Sequence, residues 1–266
     1  MTESHVMTDS RESHETFDQA RERLRPYFEK AGQITGWDFT QVRTRRLPPD
    51  MPWDYRAHAR ALLSTALSVL DIGTAGGELL SALCAGFRGT VIATEGWPPN
   101  APIASQRLRP LNVDVVQCED EALPFAAASF DLVLNRHSGW NAAEVMRLLR
   151  PRGVFFTQQV DNSWPEVRNF FPHRQVDWGH TFVDDVKALK AAGMDIVEAG
   201  RHETHVAYRE LGDLVINVLL APWEIIDFDP LDCDLEALLR LEAAYRTADG
   251  VVLTEGRAVI EARKPG

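Results

Sequence analysis

The chain has 266 residues, 45% of them apolar and 25% charged, which is enough for one substantial core or one core with additions. Its formal net charge of -11 weighs against nucleic acid as the main partner, because polyanions are bound by basic faces, although Arg43, Arg45 and Arg46 form one local cationic group. No apolar run is long enough to cross a membrane, Met1 to Arg25 is too polar for a secretory signal, and Cys84, Cys118 and Cys233 lack metal-ligand spacing, so a soluble cytoplasmic protein with reduced, mostly core thiols is expected.

Residues 1–14 are polar and predict a disordered tail. Phe17, Ala20, Leu24 and Phe28 then share one helical face, so a helix is expected over about 15–30. Gly36-Trp37-Asp38 and Leu47-Pro48-Pro49-Asp50 punctuate a loop-rich stretch, and Trp53 to Leu67 reads as a second helix. From there strands at 68–72, 90–94, 113–117, 130–135 and 153–160 alternate with helices at 77–87, 101–110 and 141–149. That alternation predicts a parallel sheet with helices on both faces. After an irregular stretch at 161–180 come a helix from Phe182 to Ala192 and a strand beginning at Asp195. Two amphipathic helices, about 211–220 and 234–246, joined by Ala221-Pro222-Trp223-Glu224, precede a last strand over 251–263. The expected division is an arm or lid at 15–67, a core at 68–208, a helical cap at 209–250 and a closing core strand at 251–266.

The chemistry concentrates where the first of these strands ends. Val69 to Ile72 is an apolar strand, Gly73 to Gly77 a turn of small residues, and Leu79 to Phe87 an apolar helix. Such a turn leaves backbone N–H groups facing a ligand. The next strand ends in Thr94-Glu95, an acid placed to hold the two hydroxyls of a ribose. The dinucleotide fingerprint G-x-G-x-x-G is broken, because position 75 is Ala and position 78 is Glu, and a glutamate there repels a pyrophosphate. Taken singly, each feature has a plain structural reading: Gly73–Gly77 as a tight turn, Asp71 as a loop cap, Glu95 as a solvated strand end, and Glu119–Glu121 as an exposed acidic turn.

Five segments in order make the chain resemble the class I S-adenosylmethionine-dependent methyltransferases, in the small-molecule, type 11 branch. They are Asp71-Ile72-Gly73-Thr74-Ala75-Gly76-Gly77, with Ala75 in place of the middle glycine; Glu95; Glu119-Asp120-Glu121-Ala122-Leu123-Pro124-Phe125; Ser129 to Val133; and Leu149 to Gly153. The resemblance implies an α/β, Rossmann-like, seven-stranded and mostly parallel sheet with an antiparallel last strand, helices on both faces, an N-terminal helical arm and a helical insertion before the last strand. It implies S-adenosyl-L-methionine as cofactor. Gly73, Thr74, Ala75 and Gly76 would hold the methionine end with Asp71 orienting its amino group, and Glu95 the ribose, with Gly96 and Trp97 beside the rings. One of Glu119, Asp120 and Glu121 would meet the adenine, Asn135 and Arg136 would close over the methionine moiety, and Tyr55 would come in from the arm.

Methyl transfer from a sulfonium is an in-line displacement, and a base is needed only for an acceptor that must lose a proton. His137, just beyond the strand at 130–135, is the candidate for that role, with a cofactor contact as its other reading. His173 and His180 are weaker candidates. The acceptor is expected to be a small molecule methylated on oxygen, nitrogen or activated carbon, in a pocket drawing on Trp140, Trp164, Trp178 and Trp223. Trp53, Phe170 and Phe171 are further aromatic candidates, and most of these side chains are expected to serve packing. No metal is implied, and a monomer or homodimer is expected. Methylation of RNA or protein, or cofactor binding without turnover, are the competing readings.

Overall fold

The computed structural model describes residues 15–119, 122–176 and 181–266. The expected tail at 1–14, together with Asp120, Glu121, Trp178 and His180, lies outside the described residues.

Helix α1 (Phe17–Ala31) begins at a capping box in which Thr16 and Gln19 satisfy each other's backbone N–H groups, and it buries Ala20, Leu24 and Ala31. Strand β1 (Thr44–Leu47) follows, then α2 (Tyr55–Leu63), capped by the Asp54 side chain. The alternating core comprises β2 (Ser68–Ile72), α3 (Glu78–Leu83), β3 (Thr90–Thr94), α4 (Asn100–Leu108), β4 (Asp114–Val116), β5 (Phe130–Arg136), α5 (Ala142–Leu148) and β6 (Leu149–Val160). It continues through α6 (Pro165–Phe170), α7 (Phe182–Ala191) and β7 (Asp195–Tyr208). Helices α8 (Leu211–Leu220) and α9 (Leu235–Tyr245), a two-residue strand β8 (Arg246–Thr247) and β9 (Gly250–Arg263) complete the chain.

The sheet has nine strands in the order β1-β7-β9-β6-β5-β2-β3-β4, with β8 paired to β9. Strands β2 to β6 run parallel, whereas β9 is antiparallel to both β6 and β7. This is the expected seven-stranded arrangement with two additions. Strand β1 pairs antiparallel with the upper half of β7, and β8 forms a short hairpin with β9. The segment Thr-Arg-Arg-Leu carries no apolar alternation because β1 is an exposed edge strand, so its sequence reads as loop. The arm is accordingly not wholly helical.

Val69, Leu70 and Ile72 of β2 are all buried, as befits a strand covered on both faces. Val69, Leu132, Leu134 and Phe156 pack beneath α2, α3 and α4. On the other face Leu70, Ile72, Val133 and Phe155 meet Val145, Leu148 and Leu189. Order reverses at β2, with β3 to one side and β5 to the other, which opens a crevice at the carboxyl ends of these strands.

Strands β7 and β9 continue past the end of β6, whose last residue Val160 pairs with Arg257. Their extension carries a third core, in which α1, α8 and α9 pack with Val206, Tyr208, Val251 and Leu253. Helix α8 is buried on nearly every side, between the sheet extension and α1. Gly212 permits that approach, because a Cβ there would lie 2.2 Å from the Tyr27 ring. Ion pairs from Arg43 to Asp213 (3.0 Å) and Arg23 to Glu242 (2.9 Å) fasten the arm to the insertion, so the two form one cap over the sheet edge.

Candidate functional site

The turn after β2 is built from residues in the left-handed region: Gly73 at φ +70°, Ala75 at +54° and Gly77 at +79°. A Cβ on Gly73 would fall 2.1 Å from the Ser138 hydroxyl oxygen. Ala75 adopts a conformation that costs an L-residue roughly 1–2 kcal/mol, which is the physical meaning of its departure from glycine. The turn is sewn to β3 by the Thr74 N–H donating to the Thr94 carbonyl at 2.8 Å and the Gly73 N–H donating to the Thr94 hydroxyl at 3.3 Å. The Thr74 hydroxyl is buried, and beside Asp71 it favours that residue's ionised carboxylate. At the far end Glu78, paired with Arg107, sits beside Gly76, where a Cβ would lie 2.5 Å from its carboxylate. That carboxylate occupies the ground a phosphate would need.

Asp71 faces the crevice from the last turn of β2. Burial pushes its carboxyl up to about 7; the Thr74 hydroxyl and Arg136 pull against this, and the charge of Glu95 adds to it. Glu95 is 3% exposed and accepts the Trp97 N–H at 2.8 Å, which fixes the carboxylate at the strand end. Gly96 lies 3.2 Å, measured from its would-be Cβ, from the Cys118 carbonyl and 3.7 Å from the Glu119 carboxylate. The structure therefore brings Asp71, Thr74, Glu95, Gly96 and Glu119 to one rim, as the sequence order implies.

Over that rim Trp97 stacks on Trp37 with ring centroids 5.8 Å apart, and Trp37 meets Trp223 edge-on at 5.4 Å. The three come from the β3–α4 loop, the arm and the cap insertion. Trp37 has no sequence signal beyond its place in a turn. Its neighbour Gly36 presses against Asn100, whose side-chain amide is buried at 1% exposure without a hydrogen-bond partner among the described residues.

Tyr55 is nearly buried, stacks on Phe156 at 4.8 Å, donates its hydroxyl to the Asn135 carbonyl at 3.1 Å, and lies under the Arg136 guanidinium. The Asn135 side chain is fully engaged. Its amide donates to the carbonyls of Ile72 and Gly139, and its oxygen accepts from Thr157 and Gln159. It ties β5 to the turn after β2 with no donor left for a ligand. Arg136 and His137 are exposed to the crevice at the end of β5, His137 at φ +58°. His137 Nε2 contacts Gln158 Nε2 at 3.1 Å, and the Gln158 oxygen accepts the Trp53 indole N–H at 2.9 Å. Crowding by protein and the charges of Arg136, Arg257 and Arg46 hold the His137 imidazole well below its ordinary range.

Other expected pocket residues fall elsewhere. Trp140 packs on Phe155 at 5.0 Å, on the sheet face opposite Tyr55. Trp164 is 7% exposed and packs against Tyr208 inside the cap core, where Phe171 is also buried. Two open surface grooves, one lined by Lys30, Gln33 and Asp38 and one by Trp140, Asp185 and Ala192, include none of Asp71, Thr74, Glu95 and Glu119. Cys233 is exposed, so it is not a core thiol. The basic group at 43–46 is ion-paired, Arg43 with Asp213, Arg45 with Asp249 and Arg46 with Glu255, a carboxylate that Arg257 also uses.

A family model for a methyltransferase domain matches residues 70–157, from β2 into β6. No curated protein sequence matches the chain. Among solved structures, a protein of Deinococcus radiodurans R1 of unknown function is 16% identical, covering 91% of this chain and 99% of its own, with a TM-score of 0.59. A protein of Bacillus halodurans C-125 named as a candidate methyltransferase is 17% identical, covering 79% of this chain and 99% of its own, with a TM-score of 0.57. The 4+2 cyclase SpnF is 15% identical, covering 94% of this chain and 97% of its own, with a TM-score of 0.52. At these identities the likeness is one of fold.

Proposed function

We propose, from the premise that the chain carries a class I methyltransferase domain over residues 70–157, that it transfers the methyl group of S-adenosylmethionine to a small-molecule acceptor. When bound, that cofactor supplies a methyl carbon already activated by a sulfonium, which departs as a neutral thioether carrying the C–S electron pair.

The observation that carries the reading is the rim itself. The buried Thr74 hydroxyl, the Asp71 carboxyl and the Glu95 carboxylate converge where the strand order reverses. These groups suit a ligand that is cationic at one end, bears a diol in the middle, and has no phosphate. Asp71 and the turn from Gly73 to Gly76 receive the amino-acid end, with Arg136 beside it. Glu95 accepts from the ribose hydroxyls. Gly96, Trp97 and Glu119 border the adenine. Tyr55 and Asn135 act through position: their mutual hydrogen bond fixes the end of β5 against α2.

A small-molecule acceptor is supported by the aromatic cluster of Trp37, Trp97 and Trp223 and by the ion pairing of Arg43 and Arg45, which takes them from service as a basic face for a polyanion. The likeness to a cyclase shows that this fold also carries other chemistry, so methyl turnover is the necessary readout. The test is calorimetric titration of S-adenosylmethionine and S-adenosylhomocysteine, followed by transfer of a labelled methyl group to acceptor pools. Micromolar binding with methyl incorporation supports the proposal. Binding of NAD in their place refutes it.

A further inference from the structure

The chain Trp53–Gln158–His137 settles the protonation of the histidine. An indole N–H can only donate, so the Gln158 atom facing Trp53 at 2.9 Å is its oxygen and the atom facing His137 at 3.1 Å is its NH2. An amide NH2 can only donate in turn, so His137 Nε2 is the acceptor and carries no proton. The neutral ring then has its proton on Nδ1, the nitrogen that has no partner among the described residues and belongs to a side chain exposed to the crevice. Gln158 is 7% exposed and cannot turn over without leaving the Trp53 indole unsatisfied. The imidazole is thereby presented as a donor, and its basic nitrogen is already occupied.

The charge around this donor is of one sign. Arg136 makes no ion pair within 4 Å among the described residues, and its guanidinium lies over the Tyr55 ring. Arg46 and Arg257 share a single carboxylate, that of Glu255, at 2.7 and 2.6 Å. Arg257, on β9, is held in place by the Ser163 hydroxyl and the Gly256 carbonyl. Burial pushes the Glu224 carboxyl on the cap side toward its neutral form. Three guanidiniums therefore face the Glu255 carboxyl and, beside Arg136, the Asp71 carboxyl, which the amino group of the cofactor claims. If the amino-acid carboxylate of the cofactor takes up another guanidinium, one positive charge still lacks a match.

Resting on the methyltransferase reading, we propose that the acceptor is an aromatic or apolar carboxylate, whose charged oxygen is received by the Nδ1–H of His137 among Arg46, Arg136 and Arg257, with Gln158 and Trp53 as positioning residues. A carboxylate arrives ionised, so no base is required. Its oxygen lone pair forms the new O–C bond, the C–S pair leaves with sulfur, and no proton moves. His137 orients the nucleophile and takes no proton from it.

The test uses the full chain with 15N-labelled histidine, the His137 signals being identified by their disappearance in His137→Asn. The expected spectrum has a protonated Nδ1 and an unprotonated Nε2. Benzoate is expected to shift the Nδ1 proton, with affinity falling as salt rises, whereas benzyl alcohol leaves it unmoved. Gln158→Glu, which places an acceptor opposite Nε2, is expected to move the proton to Nε2 and weaken benzoate binding at least tenfold. A wild-type Nε2–H signal overturns the assignment of the donor. A response to phenyl phosphate but not benzoate overturns the carboxylate. Titration of the same sample with S-adenosylhomocysteine keeps the two readings apart: heat from the nucleoside with no benzoate response defeats this proposal alone, and silence from the nucleoside defeats the one beneath it.

Discussion

The carboxyl of Asp71 makes cofactor affinity a function of pH. Burial raises it from 3.8 to about 7, so the free protein at pH 6 has about a tenth of its Asp71 ionised. A ligand whose α-ammonium requires the carboxylate must release that proton on binding. Affinity is therefore expected to rise about tenfold per pH unit below 7 and to level off above about 8, with close to one proton released near pH 6. Stability has the opposite sense. The folded state holds a proton that the unfolded chain gives up at 3.8, so stability falls as pH rises from about 4 to about 7 and is level beyond. The full shift corresponds to about 4 kcal/mol as an upper bound, since crevice water reaches the group. Calorimetric titration of S-adenosylhomocysteine, in two buffers of different ionisation enthalpy at each pH, measures affinity and proton release together. Asp71→Asn is expected to flatten both curves and to hold affinity at a low value. A flat wild-type profile, or an unchanged slope in Asp71→Asn, would refute the placement of this carboxyl against the ligand.

Glu95→Ala is expected to weaken nucleoside binding by more than tenfold in the same calorimetric assay, because the rim then has no acceptor for the ribose hydroxyls. Gly73→Ala combines a φ of +70° with a Cβ 2.1 Å from the Ser138 hydroxyl; a stability loss of about 1–3 kcal/mol in urea unfolding, with loss of binding, is expected. Trp37→Ala removes two ring contacts, each worth about 0.5–1.5 kcal/mol, and is expected to raise KM for the acceptor more than it lowers kcat, while reddening the tryptophan emission. Arg43→Ala leaves Asp213, 1% exposed, without its partner. Because Arg43 itself is half in water the expected loss is about 1–3 kcal/mol, read as a lower urea midpoint with nucleoside affinity unchanged.

The parallel half of the sheet is legible in the chain because β2, β3 and β5 are buried on both faces, which writes them as short apolar runs between turns. Helix α8 is legible over its full length for the same reason. Strand β1 is not, since an exposed edge needs no apolar pattern, and α6 hides in an irregular stretch as six residues opened by a proline. The rim residues carry their own signal, because an acid at a strand end and glycines at positive φ are few-residue requirements. The aromatic residues do not. Composition marks Trp140, Trp164 and Trp223 alike, yet packing sends the first to the far sheet face and the second into the cap core, leaving only Trp223 near Trp37. Gln158 and Arg257 carry no such mark: Gln158 stands between Thr157 and Gln159 and Arg257 closely follows Glu255, so their place at the carboxyl edge of the sheet emerges only from the register.

The crevice between β2 and β3 is claimed here for a cationic nucleoside without phosphate. Soaking or co-crystallising the protein with S-adenosylhomocysteine decides it most directly. The expected density has the ribose on Glu95, the amino group within reach of Asp71 and the ring edge along Gly96 and Trp97. An empty crevice at saturating nucleoside, or one that fills with NAD, would contradict the account.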